Sequence, residues 1–131
     1  PSKWIIKGLS FFGITYDLKK VNEHVIVQNR VNNIKTQLSE MFNKSGDGIR
    51  NYYKNKVEKL HVKSENLFVL WSEMEQKYAE QLSKGKLKNK EIVRNLISER
   101  KRYKEQLNSI KQDLQMIMSN VQKKRMHPNL A

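Results

Sequence analysis

The sequence predicts an all-α chain folded as one compact up-down bundle of three to five helices, with two or three of them long. Three observations carry that expectation. Pro1 and Pro128 are the only prolines, so nothing between them forces a helix to end. Apolar residues recur every three or four positions over most of that length. At 131 residues without a cysteine, the chain suits a single domain, 1–131, that is held by packing rather than by disulfides. The missing cysteine also excludes a thiolate metal site and a thiol nucleophile.

Residues 1–16 differ in kind from the bundle expected over 17–131. Trp4, Ile5, Ile6, Leu9, Phe11, Phe12, Ile14 and Tyr16 make the segment strongly apolar, and Gly8 and Gly13 interrupt it. The first helix begins near Asp17, or with Thr15 as its cap, and carries Leu18, Val21, Val25, Val31, Ile34, Leu38 and Met41 as one stripe. Ser45-Gly46-Asp47-Gly48 ends it, because glycine takes the left-handed cap conformation and Asp47 caps the next helix.

A second helix runs from about Ile49 to Lys84. Its seam is Tyr53, Val57, Leu60, Ser64, Leu67, Trp71, Met74 and Tyr78, in alternating steps of four and three. The stretch Leu67-Phe68-Val69-Leu70-Trp71 is apolar all round, which predicts cover on several sides and a central place in the bundle. After Gly85 a third helical region starts at Asn89 and Glu91 and ends by His127-Pro128. Its seam reads Leu96, Tyr103, Leu107, Ile110, Leu114, Ile117 and Val121. Asn108-Ser109 marks a candidate break between two helices.

The charge is lopsided. Lys and Arg number 26 against 13 Asp and Glu, a formal net charge of +13 with a pI near 10. Residues 84–131 hold 13 of the bases and 4 of the acids, so the second half carries +9 of the total. An excess of this size predicts a negatively charged partner. The candidate binding groups are Lys84, Lys86, Lys88 and Lys90, then Arg100, Lys101, Arg102 and Lys104, then Lys123, Lys124 and Arg125. The same electrostatics suits lipid phosphate, nucleic-acid phosphate or acidic glycan, and a solvated helix face is the plain alternative.

Trp4, Ile5, Ile6, Leu9, Phe11 and Phe12 beside Lys3 and Lys7 suit a bilayer interface, where ammonium groups meet phosphate and apolar groups enter the acyl boundary. A strap over the bundle is the competing reading of the same residues. Met116 flanks the seam residue Ile117, so it points away from the core and offers an adaptable apolar contact.

Enzymatic chemistry finds no support: His24, His61 and His127 lack metal-ligand spacing, and no nucleophile motif or phosphate loop occurs. No cofactor or metal is expected. Glu73 and Glu75 lie two apart on a helix and read as solvated face. No apolar run is long enough to span a bilayer, and a start at Pro1 without a leader pattern reads as a processed mature chain. Asn43-Lys44-Ser45 is a glycosylation sequon in the expected interhelical turn.

Leu70-Trp71 in the middle of the second helix and Arg125-Met126-His127-Pro128 near the end resemble landmarks of the abalone sperm lysin family. In that family a long first helix leads to a longer second one with a Leu-Trp pair, then to an arginine-containing third and a C-terminal Arg-Met-x-Pro stretch. Residues 17–128 follow that order. The resemblance implies a basic five-helix bundle that is secreted from the sperm acrosomal vesicle and reaches the acrosomal process surface.

The chain departs from lysin in having no proline between residues 109 and 120 and in its Phe- and Ile-rich residues 4–14. Those departures are similar to the family's fusagenic sister branch. The resemblance then implies a non-enzymatic protein that promotes sperm-egg membrane fusion at the anionic egg plasma membrane. Three rival expectations stand beside it. One is lysin-like, non-enzymatic dissolution of the egg vitelline envelope by binding its glycoprotein, as a homodimer through exposed apolar surface. Another is nucleic-acid binding, with Tyr103 stacking among Arg100, Arg102 and Lys104. The last is a structural coiled coil.

Overall fold

The computed structural model describes residues 18–41, 47–84 and 89–126, and these form three α-helices: α1 (Leu18–Glu40), α2 (Asp47–Lys84) and α3 (Asn89–Met126). All three pairs of helices touch. Side-chain pairs fix their directions. Gln28 meets Glu65 while Lys35 meets Glu58, so α1 and α2 are antiparallel. Arg30 reaches the Lys111 carbonyl while Arg125 reaches Glu40, so α1 and α3 are parallel. The fold is an up-down-up bundle, as the periodicity predicts. Residues 1–17, 42–46, 85–88 and 127–131 lie outside the described part, and with them the expected caps Thr15, Gly46 and Gly85, the N-terminal segment and the sequon, whereas Asp47, expected to cap a helix from about Ile49, is itself the first residue of α2.

The core is one continuous seam. Val27, Val31, Ile34 and Leu38 of α1 close on Val57 and Trp71 of α2 and on Tyr103, Leu107, Ile110, Leu114, Ile117 and Val121 of α3. Trp71 stacks on Tyr103 with ring centroids 5.2 Å apart and 21° between planes. All seven expected seam residues of the third region are buried, and Ile92 joins them. That region is one unbroken helix of 38 residues, so Asn108-Ser109 does not divide it. The weak propensities of two residues are outweighed by buried Leu107 and Ile110 on either side.

Three expectations need correction. The α1 stripe runs through Lys20, His24, Val27, Val31, Ile34 and Leu38, and Val25 faces solvent. Spacing decided the face, and the most apolar choice of letters lay one position off it. α1 also stops at Glu40, short of Ser45. Thr36 and Ser39 hydroxyls bond to the Asn32 and Thr36 carbonyls, and the Met41 amide bonds back to Leu38, which tightens the final turn. Finally, α2 is not enclosed on all sides. Val69 and Leu70 are 51% and 64% exposed, on the side of α2 turned away from the two helices that pack on it among the described residues.

Candidate anionic-surface interface

A helix advances about 100° per residue, so positions 90, 94, 97, 101 and 104 of α3 fall on one line, roughly opposite its buried seam. Lys90, Arg94, Ile97, Lys101 and Lys104 occupy that line and all are exposed, with Ile97 61% accessible. Val93, 36% exposed, lies beside it. The line is roughly 20 Å long. Among the described residues, none of its four cations makes an ion pair, and of the neighbouring acids on α3 Glu91 and Glu105 are themselves exposed. The arrangement sets uncompensated cations around a greasy centre.

Lys84, Arg102, Lys123 and Arg125 are exposed as well, and Lys124 is half-buried. Arg125 donates to Glu40 at 3.2 Å in a solvent-facing pair that contributes at most about 1 kcal/mol, so its charge stays available to an anionic partner. Met116 is 67% exposed, as its place beside Ile117 requires. Lys86 and Lys88, and the apolar candidates Trp4, Ile5, Ile6, Leu9, Phe11 and Phe12, lie outside the described residues.

Arg100 does not belong to the interface. Its Nε donates to Glu75 Oε1 at 2.6 Å and its Nη2 to Oε2 at 3.1 Å, a two-pronged pair between α3 and α2. Glu75 is completely buried, so it is no solvated-face residue, unlike the exposed Glu73. A buried carboxylate needs a cation with fixed geometry, and the planar guanidinium supplies it. Tyr103 is also withdrawn, being 3% exposed with its ring against Trp71, so it presents no face on which a nucleic-acid base could stack.

The sequence reading missed Arg94 and Ile97, although their spacing from Lys90, Lys101 and Lys104 was the available signal. It also missed a second line on α2, where exposed Tyr52, Lys56, Lys59, Lys63, Leu70 and Lys77 recur at helical spacing. There the Lys56 ammonium sits 4.6 Å from the centre of the Tyr52 ring, a cation–π contact, and its hydrogen bond to the Tyr52 side chain raises its pKa above the ordinary lysine value. Neither line was found from runs of adjacent charges.

Among the described residues no group of three or more His, Asp or Glu side chains is arranged to hold a metal ion, and no helix is long and apolar enough to cross a membrane. Comparison of the chain with known protein families, characterised proteins and solved structures finds no match to any of them.

Proposed function

We propose that this protein is a non-enzymatic, secreted sperm acrosomal protein that binds the anionic egg plasma membrane and promotes its fusion with the sperm membrane. The observation that carries the binding step is the α3 line in which unpaired Lys90, Arg94, Lys101 and Lys104 surround exposed Ile97. Each cation close to an anionic bilayer contributes about 1 kcal/mol, so the four together contribute about 4 kcal/mol. Ile97 adds a fraction of the ~1.5–3 kcal/mol that full burial of such a side chain would give. That total is marginal for firm adsorption, and the apolar residues 4–14 supply the remainder by shallow insertion. The resemblance of Leu70-Trp71 and Arg125-Met126-His127-Pro128 to the lysin family supports the acrosomal setting, and the N-terminal departures support the fusagenic branch over lysin proper.

The test uses vesicles of phosphatidylcholine alone and of phosphatidylcholine with phosphatidylserine, scored for binding, contents leakage and lipid mixing. Binding and mixing confined to the anionic vesicles, and weakened by Arg94→Glu with Lys101→Glu, is the expected result. A chain lacking residues 1–14 should bind less firmly and mix lipids little; equal activity would remove that segment from the mechanism. Dissolution of isolated egg envelopes without any lipid mixing would replace this reading with the lysin-type one.

A further inference from the structure

The contact between α1 and α2 contains a cluster that membrane binding does not use. His24 is 4% exposed, and the ring of Phe68 lies flat against it, 4.1 Å between centroids and 12° between planes. Its Nδ1 is 3.4 Å from the hydroxyl of fully buried Ser64, and its Nε2 is 3.5 Å from Oε1 of Glu65. The same oxygen accepts from Gln28 Nε2 at 3.0 Å and lies 3.4 Å from His61 Nε2. On its other side His61 Nδ1 is 3.6 Å from Glu58, which Lys35 holds at 2.8 Å. Two imidazoles on different helices thus converge on one carboxylate oxygen.

A serine, a histidine and a carboxylate in this order suggest a nucleophile and its base, but the geometry rules that out. Ser64 has no accessible surface and lies mid-helix, where the backbone amides are committed to the helix and none is free to stabilise an oxyanion. Proton uptake is the chemistry left to the cluster. Around His24 stand Lys20, buried one turn earlier on α1, and Ser64, Glu65 and His61 on α2; from α3 comes Lys111, 3.7 Å from Glu23 of α1. A positive charge at His24 is opposed by burial and by His61 and favoured by the shared Glu65.

Burial holds the His24 imidazole below its ordinary value; Glu65 counteracts this and His61 reinforces it. In the unfolded chain the ring takes its proton first as the pH falls, near 6.5. The stabilisation from a neutral His24 is therefore complete above that pH and is lost as the pH drops from there through the lower folded value. We propose that the His24–Glu65–His61 cluster is an acid-released latch that holds α1 on α2 at neutral pH and frees it on acidification, uncovering the apolar seam of both helices. Any use of that uncovered seam on a bilayer rests on the membrane reading above; the latch itself does not.

The experiment follows amide hydrogen exchange of the full chain at pH 7.5 and 5.0, each corrected for the intrinsic exchange rate. Protection in α1 should fall at least tenfold more than protection in the middle of α3 on acidification. His24→Phe keeps the stack on Phe68 without a titrating ring, and His24→Gln stays neutral with a partner for Ser64; either should retain most of the α1 protection at pH 5.0. Uniform loss of protection across the three helices, or unchanged acid opening in both variants, overturns the latch. Binding to phosphatidylserine vesicles is measured on the same samples. Acid opening without vesicle binding at either pH supports the latch and counts against the membrane reading alone.

Discussion

Replacing Arg100 by alanine strands the carboxylate of Glu75 in a place where water does not reach it. The pair is bidentate, at 2.6 and 3.1 Å, with Glu75 wholly buried and the Arg100 side chain 20% exposed. Removing one partner of a buried pair costs about 3–5 kcal/mol, because the buried charge left behind has lost its bidentate cation. For a chain of this length the loss lowers the melting temperature by about 10–20 °C. Replacing both residues, as Glu75→Leu with Arg100→Met, removes the charge together with its partner and should leave stability within about 1 kcal/mol of wild type, or above it. Urea unfolding followed by far-ultraviolet circular dichroism measures all three proteins on one scale. An Arg100→Ala cost below about 1 kcal/mol, or a double variant as unstable as the single one, would refute the view that burial makes Glu75 depend on Arg100.

Leu107→Ala or Ile110→Ala should cost about 2–5 kcal/mol in the same urea assay, whereas Leu70→Ala, on a solvent-facing side chain, should stay within about 0.5 kcal/mol. Proline at Asn108 should cost about 3 kcal/mol or more, since α3 is continuous there; tolerance would restore the break suggested by local propensity. Arg94→Glu with Lys101→Glu should weaken adsorption to anionic vesicles by at least tenfold at low salt, with the difference shrinking as ionic strength rises. That double change should leave the melting temperature nearly unaltered, which separates it from substitution of Arg100.

How far the sequence discloses this molecule differs from helix to helix. α3 is the most legible, because Leu, Ile, Val and Tyr hold its inward positions and from Tyr103 to Val121 the steps of three and four never slip; the one gap, between Leu96 and Tyr103, is where Arg100 reaches Glu75. α1 misleads because its inward line passes through Lys20 and His24, polar side chains that a search for apolar letters skips in favour of Val25. Glu75 is hidden for another reason. Its spacing after Trp71 puts it on the inner face of α2, but its fate depends on Arg100, 25 residues away on a different helix, and no local pattern records such a pairing. The interface suffers the same limitation in reverse. Adjacent cations such as Arg100, Lys101 and Arg102 point to three different sides of a helix, and it is residues three and four apart that share a surface. Arg94 and Ile97 emerge only when the chain is wound.

α3 keeps two sets of side chains apart: one fixes the bundle, and the line from Lys90 to Lys104 takes no part in closing it. Changes on the outer line therefore carry little penalty to folding, so the character of that surface can drift while the scaffold is inherited intact. A lineage under pressure to track a changing target would find in such a helix a surface that it can rewrite a residue at a time.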